Sequence, residues 1–218
     1  MQQKPWTKPN FLMGIDSAEQ LVDWFRAHAA ITGLAFVGRS NVGKSSTINT
    51  LFGKTTARVS KTPGRTRQIN IFEFYLNEKP DMPFYFFDLP GYGHAEITKQ
   101  MRKNWDELMG AFFQYLSHNV LLLNIQDARH PHQAADQEFH EFFKTFDNET
   151  YVIYNKIDKL KSQKEKNELK NKMKPLYKQL KWVKQIHYFS AEKKTGLEEI
   201  QLAIETYLRK KTNLEAKS

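Results

Sequence analysis

Short apolar runs recur along the chain, and each gives way to a polar or glycine-containing turn. Leu34–Val37, Phe84–Phe87, Val120–Ile125, Tyr151–Tyr154 and Ile186–Phe189 have the length of buried strands. Gln68–Leu76 alternates imperfectly and reads as a sixth strand. Asn77–Asp81 is a hairpin-type connection, so the strands on either side of it are expected to be antiparallel neighbours. Between the strands lie segments of helical period. Ser17–Ala29 carries Leu21, Val22, Trp24 and Phe25, and Ser46–Phe52 puts Ile48, Leu51 and Phe52 on one face. Thr98–Leu116 turns Met101, Trp105, Leu108, Met109, Phe112 and Leu116 inward, with Trp105, Phe112 and Phe113 read as core. Helices are expected at 134–146 and at 197–208, the latter with Leu197, Ile200, Ile204, Tyr207 and Leu208 inward. Strand–helix alternation predicts an α/β fold of three layers: a mostly parallel six-stranded sheet, one antiparallel strand, and helices on both faces. A domain over 34–208 would follow an N-terminal extension, 1–33, that contains an amphipathic helix. A flexible basic tail, 209–218, would end the chain.

With 218 residues, 40% of them hydrophobic, the chain can bury one sizeable core. It has no cysteine, which excludes disulfides, thiolate metal sites and thiol catalysis. No run is long enough to span a membrane, and Met1–Trp6 lacks the apolar core of a signal peptide. Asn148-Glu149-Thr150 fits the glycosylation pattern but, without export, is a turn before a strand. A cytoplasmic monomer is the expectation.

The formal net charge of +9 favours polyanionic partners. Much of the excess is local. Lys159, Lys161, Lys164, Lys166, Lys170, Lys172, Lys174, Lys178, Lys181 and Lys184 face only Glu165 and Glu168. Leu169, Met173, Leu176, Tyr177 and Leu180 run through the same segment at helical spacing. It reads as a helix with a buried stripe and a basic outer face, kinked or divided at Pro175. Such a face would grip phosphates rather than read sequence; the competing reading is a solvated face that only keeps the protein soluble.

Gly38-Arg39-Ser40-Asn41-Val42-Gly43-Lys44-Ser45 fits the phosphate-binding pattern G-x-x-x-x-G-K-[ST], between an apolar strand and a helix. Its glycines let successive N–H groups converge. Lys44 adds a cation for the β- and γ-phosphates, and the Ser45 hydroxyl can ligate Mg²⁺. Asp88-Leu89-Pro90-Gly91 follows the Phe84–Phe87 run as D-x-x-G. Asp88 can hold Mg²⁺ through a water, and the Gly91 N–H can bond the γ-phosphate. Asn155-Lys156-Ile157-Asp158 follows a further strand as N-K-x-D. The Asp158 carboxylate can accept bonds from guanine N1–H and N2–H₂, donors that adenine lacks. Asn155 can tie this pocket to the phosphate loop, and the Lys156 stem can cover the base. Phe189-Ser190-Ala191 supplies a last strand-end loop whose N–H groups can meet guanine O6.

With G-R-S-N-V-G-K-S-S at 38–46, P-G-R-T at 63–66, D-L-P-G-Y-G at 88–93 and Asp127-Ala128-Arg129-His130-Pro131, the chain resembles the EngB (YihA/YsxC) family. That family is a group of GTPases in the translation-factor class, akin to the TrmE, Era, EngA and septin P-loop GTPases. The resemblance covers roughly 34–208 and implies GTP hydrolysis to GDP and phosphate. It also implies a role in assembly of the large ribosomal subunit, with linked effects on cell division and septation. It makes Thr66 the switch threonine, joining Ser45 and Asp88 on Mg²⁺, with Thr62 as runner-up. Gly64, Arg65, Arg67 and Gln68 would line the nucleotide with it. It also raises K⁺ use, with Asn41 holding the ion beside the phosphates; Asn41 bracing the loop is the alternative.

Lys44, Thr66 and Gly91 are therefore the expected catalytic groups. Ras-type GTPases place a water-orienting glutamine after D-x-x-G, and here that position is Tyr92. A phenol cannot bridge water and γ-phosphate, so slow intrinsic hydrolysis is expected, with a partner completing the site. GTP would order 54–67 and 89–100. The competing function is an RNA-binding or ribosome-binding module in which guanine nucleotide sets shape and turnover is incidental. A membrane-associated GTPase of septin or transporter type is disfavoured for want of an anchor. His130, His132 and His140 read as surface histidines rather than metal ligands.

Overall fold

The computed structural model describes residues 4–28, 31–57, 68–93, 98–146 and 148–212. The chain order is β1 (Asn10–Ile15), α1 (Ala18–Ala27), β2 (Gly33–Gly38), α2 (Lys44–Phe52), β3 (Ile69–Leu76) and β4 (Lys79–Asp88). Then follow α3 (Lys99–Tyr115), β5 (Val120–Asp127), α4 (Ala134–Phe143), β6 (Thr150–Asn155), α5 (Gln163–Gln179), β7 (Val183–Tyr188) and α6 (Leu197–Lys211). One sheet contains all the strands in the order β1-β3-β4-β2-β5-β6-β7. Strand β2 runs parallel to β4 and β5, and β6 parallel to β5 and β7, whereas β3 is antiparallel to β4. The sheet is thus mostly parallel, as the alternation of elements predicts.

It has seven strands rather than six. The added strand is β1, antiparallel to β3 at the sheet edge with a bulge between Phe11 and Met13. Only Ile15 of β1 is buried. Its sequence carries no inside–outside alternation because almost none of it faces the core, and β3 supplies the pairing that makes it a strand. The N-terminal segment is therefore part of the domain's sheet and core: Leu21, Trp24 and Phe25 of α1 pack in a cluster with Phe87 and Phe112.

Helices α2 and α6 cover one face of the sheet. Ile48, Leu51 and Phe52 of α2 share a cluster with Ile200, Ile204 and Leu208 of α6. On the other face lie α1, α3 and α4, with Phe112, Phe139 and Phe143. On that face too, α5 seats Leu169, Met173 and Tyr177 on Val152 and Tyr154 of β6. The Phe72, Phe86 and Phe52 rings stack at 4.5 and 4.6 Å between centroids, fixing α2 on the sheet. Strand β4 begins earlier than its apolar run because β3 carries it. Pro80 and Pro83 precede Tyr85, where β4 first pairs with β2, so a ladder on that side needs no N–H from them.

Helix α5 runs through Pro175 without division. The proline is exposed, so the carbonyl it leaves unpaired in the turn before can bond water. Helix α6 extends to Lys211, and Arg209 donates to Glu205 and Glu78, so Arg209 to Lys211, expected in the tail, belong to the helix. No helix among the described residues is long and apolar enough to cross a membrane.

Candidate guanine-nucleotide site

Parallel pairing puts the carboxyl ends of β2, β4, β5, β6 and β7 on one edge of the sheet, and the motifs that begin at Gly38, Asp88, Asn155 and Phe189 sit there. Gly38 ends β2, and the loop after it curls through two left-handed residues, Asn41 (φ 63) and Gly43 (φ 93), into α2. A Cβ on Gly43 would stand 2.3 Å from Asn155 Nδ2, so this position takes only glycine. Helix α2 opens with no side-chain cap and no acidic residue in its first turn. Its N–H groups and dipole are left for an anion.

Asn155 joins the motifs as the sequence predicts. Its Nδ2 donates to Val42 O at 3.0 Å, and its Oδ1 accepts from Lys156 N at 2.8 Å and Ala191 N at 3.1 Å. One amide thus locks the phosphate loop to both strand-end loops of the base pocket. Lys156 (φ 67) reaches back over the loop, where its ammonium donates to Asn41 O and, at 2.9 Å, to Asp127 Oδ2.

Asp158 stands in a single turn, Ile157–Lys159. Its Oδ1 accepts from the Ser190 hydroxyl at 2.5 Å. Its Oδ2 is buried without a hydrogen-bond partner, 3.2 Å from the Lys159 ammonium, which also bonds Glu192. Burial works to raise its pKa, but the Ser190 hydroxyl and the Lys159 ammonium outweigh it and hold the carboxyl below its ordinary value. An ionised carboxylate with an orphaned oxygen is what two adjacent N–H donors of guanine would satisfy.

At the phosphate end, the Lys44 ammonium donates to Asp88 Oδ1, and both side chains are nearly buried. Ser45, half-buried, is the next residue in the first turn of α2. Gly91 lies close against the loop: a Cβ there would stand 3.4 Å from Gly38 O and 3.5 Å from Ser40 N.

Other expected residues are packed into the protein around the site. Leu89 and Phe189 are fully buried in the core, Pro90 is buried, and Ile157 packs on the α5 cluster while donating its N–H to Phe189 O. Gln68 stands just before β3, near the strand tip that carries Asp88. Its amide donates to Asn70 and crowds Gly14 of β1, at the start of β3 and two strands away from β2. Thr62, Gly64, Arg65, Thr66 and Arg67 lie outside the described residues.

Two further side chains have placements with clear physical reasons. Tyr92 does not point at the phosphates but into the core, where it stacks on Phe139 with centroids 4.7 Å apart. Its hydroxyl donates to Asp136 Oδ1 at 2.8 Å, and burial beside that carboxylate pushes the phenol well above its ordinary pKa. His140, expected at the surface, is buried between Phe139 and Tyr177, and burial lowers it to about 4, so the ring is neutral. His132 is half-buried and His130 exposed. No group of three metal-binding side chains occurs among the described residues.

In the sequence Asp127 is only part of a family-like stretch, and its contact with Lys156 is not foreseen there. At the end of β5 it takes Arg129 Nε at 2.9 Å and Nη2 at 2.6 Å, besides Lys156. Burial opposes ionisation, yet the bonds from Arg129 and Lys156 prevail and hold its carboxyl far below the ordinary range. The signal was an acid at a strand's end with an arginine two residues on, which only the fold places beside Lys156.

Comparison with known proteins agrees with this geometry. Residues 33–156 match the model of a family described as 50S ribosome-binding GTPase. A probable GTP-binding protein EngB of Laribacter hongkongensis is 39% identical over 174 residues, covering 78% of this chain and 75% of its own. A crystal structure of a probable GTP-binding protein engB superposes with a TM-score of 0.58 at 28% identity, over 82% of this chain and all of that one. Era, solved with MgGDPNP and nucleotides 1506–1542 of 16S ribosomal RNA, gives a TM-score of 0.65 at 27% identity over 83% of this chain. The match spans only 57% of that Era chain. Relatedness along most of its length, together with a site built for a guanine nucleotide, makes this chain a GTPase of the EngB family.

Proposed function

We propose that the protein is a GTP-driven switch that acts on large-subunit assembly particles in the cytoplasm, gripping their RNA with α5, and that its influence on cell division and septation follows from that role. The observation that carries the reading is the outer face of α5. Lys164, Lys170, Lys172, Lys174 and Lys178 are all exposed there, and Lys164–Glu168, at 4.0 Å, is the one ion pair among the described residues of that helix. So dense a row of ammonium groups repels itself, and phosphates relieve the repulsion by releasing their counterions. The Era structure with bound ribosomal RNA supports the same partner class.

In the proposed cycle, Lys44 exchanges Asp88 for the β- and γ-phosphates, and the α2 N-terminus receives the phosphate tail. Ser45, Asp88 and Thr66 would hold Mg²⁺, which supplies charge neutralisation when bound. Asn41 would hold K⁺. Gly91 offers its N–H to the γ-phosphate, and loss of that phosphate frees the segments about Thr66 and beyond Gly91. With Tyr92 turned inward, its side chain does not orient the attacking water, so hydrolysis by the lone monomer is slow and a particle completes the site.

Charge reversal tests the surface. With Lys164, Lys170 and Lys174 all changed to Glu, co-sedimentation with large-subunit particles at moderate salt is expected to fall about tenfold or more. GTP affinity should stay unchanged. Undiminished particle binding would end the assignment. For the ion, exchange of K⁺ for Na⁺ at constant ionic strength is expected to slow phosphate release by a few fold or more. An unchanged rate removes Asn41 from the chemistry.

A further inference from the structure

Asp136 bridges two parts of the nucleotide site that lie far from it in sequence. It is fully buried at the start of α4, and both of its oxygens are engaged. Oδ1 accepts from the Tyr92 hydroxyl at 2.8 Å. Oδ2 accepts from Arg39 Nε at 2.9 Å and from Gln133 N at 2.9 Å. Arg39 belongs to the phosphate loop, and Tyr92 directly follows the Gly91 that faces the γ-phosphate position. The two are also bridged through their backbones. Ser40 N donates to Tyr92 O at 3.2 Å, and Tyr92 N donates to Gly38 O at 3.4 Å.

Other contacts hold the same clasp. The Tyr92 ring lies flat on Phe139, with 1° between planes. Asn124 Nδ2 donates to the Tyr92 hydroxyl at 3.3 Å, and Arg39 Nη2 donates to His130 O at 2.9 Å. Gly93 (φ 74) presses so close to Ala135 that a Cβ there would stand 2.8 Å from the alanine methyl. The chain from Gly91 to Gly93 is thus docked on the N-terminal turn of α4. A buried carboxylate is costly unless every lone pair it offers is used, and here it is paid for by a guanidinium and a phenol together.

We infer that Asp136 is a positioning residue for GTP hydrolysis. It clasps Tyr92 and Arg39 and so sets how Gly91 meets the phosphate loop. Tyr92 is then the fixed anchor that holds Gly91 against the phosphate loop. The role needs no RNA partner, so it stands or falls on basal turnover alone, separately from the proposed α5 surface.

The test is steady-state GTP hydrolysis by the full chain without particles, with GDP affinity and thermal unfolding measured alongside. Tyr92→Phe keeps the ring on Phe139 and leaves Asp136 paired with Arg39, so folding is expected to survive. It should lower kcat about tenfold, while KM and GDP affinity stay within about twofold. Asp136→Asn should lower kcat at least as far. The double variant should be no slower than Asp136→Asn alone, because both changes open one clasp. Unchanged kcat in Tyr92→Phe would overturn the inference. So would multiplying losses in the double variant, or losses confined to KM and melting temperature.

Discussion

Asp158→Asn lowers GTP affinity by about a hundredfold to a few thousandfold and makes xanthosine triphosphate the tighter ligand. In the native pocket the Asp158 carboxylate is ionised, with one oxygen taken by Ser190 and the other ion-paired with Lys159 but without a hydrogen bond. Guanine brings two donors side by side. The asparagine amide replaces one acceptor with a donor, which then faces guanine N2–H₂ and leaves two donors opposed in a buried site. Xanthine carries a carbonyl at that carbon and restores the pairing. The variant keeps the Ser190 bond if its carbonyl takes the Oδ1 place, so the fold should hold, while Lys159 keeps Glu192. Calorimetry with GTP and xanthosine triphosphate decides the matter. Equal GTP affinity in parent and variant would remove Asp158 from base recognition.

Lys44→Ala should abolish measurable GTP and GDP binding, a loss of about a thousandfold or more, and should also destabilise the free protein by about 3–5 kcal/mol. Both effects come from the Lys44–Asp88 pair, which lies almost wholly out of solvent. Removing the ammonium leaves Asp88 as an uncompensated buried charge beneath the place where a polyanion must sit. The free protein pays by desolvation, and the nucleotide by repulsion. A second substitution separates the two. Lys44→Ala with Asp88→Asn removes the orphaned charge, so thermal stability should largely return while nucleotide binding does not. If the double variant regains GTP binding, the lysine served only to neutralise Asp88. Titration with fluorescent GDP beside thermal unfolding reads both quantities.

Patterning determined most of the fold, since each buried strand is an apolar run and each helix carries an apolar stripe. At β1 the pattern failed because its residues do not face the core. Phe11, Leu12 and Met13 of β1 are exposed, so nothing in their order announces a strand. His140 has a polar side chain and nonetheless lies buried, because burial of a neutral imidazole costs far less than burial of a charge.

The chain's own letters determined that a phosphate loop, a D-x-x-G turn and an N-K-x-D turn each follow a strand, and hence that a guanine nucleotide is bound. Those motifs are legible because phosphate and guanine each demand particular groups at fixed local spacing. Tertiary structure alone decided that Tyr92 turns from the phosphates to Asp136, that Asp127 and Arg129 steer Lys156, and that Lys44 rests on Asp88. Such pairings join residues tens of positions apart through parallel strand tips. No periodicity along one segment encodes which distant side chain will satisfy a buried charge.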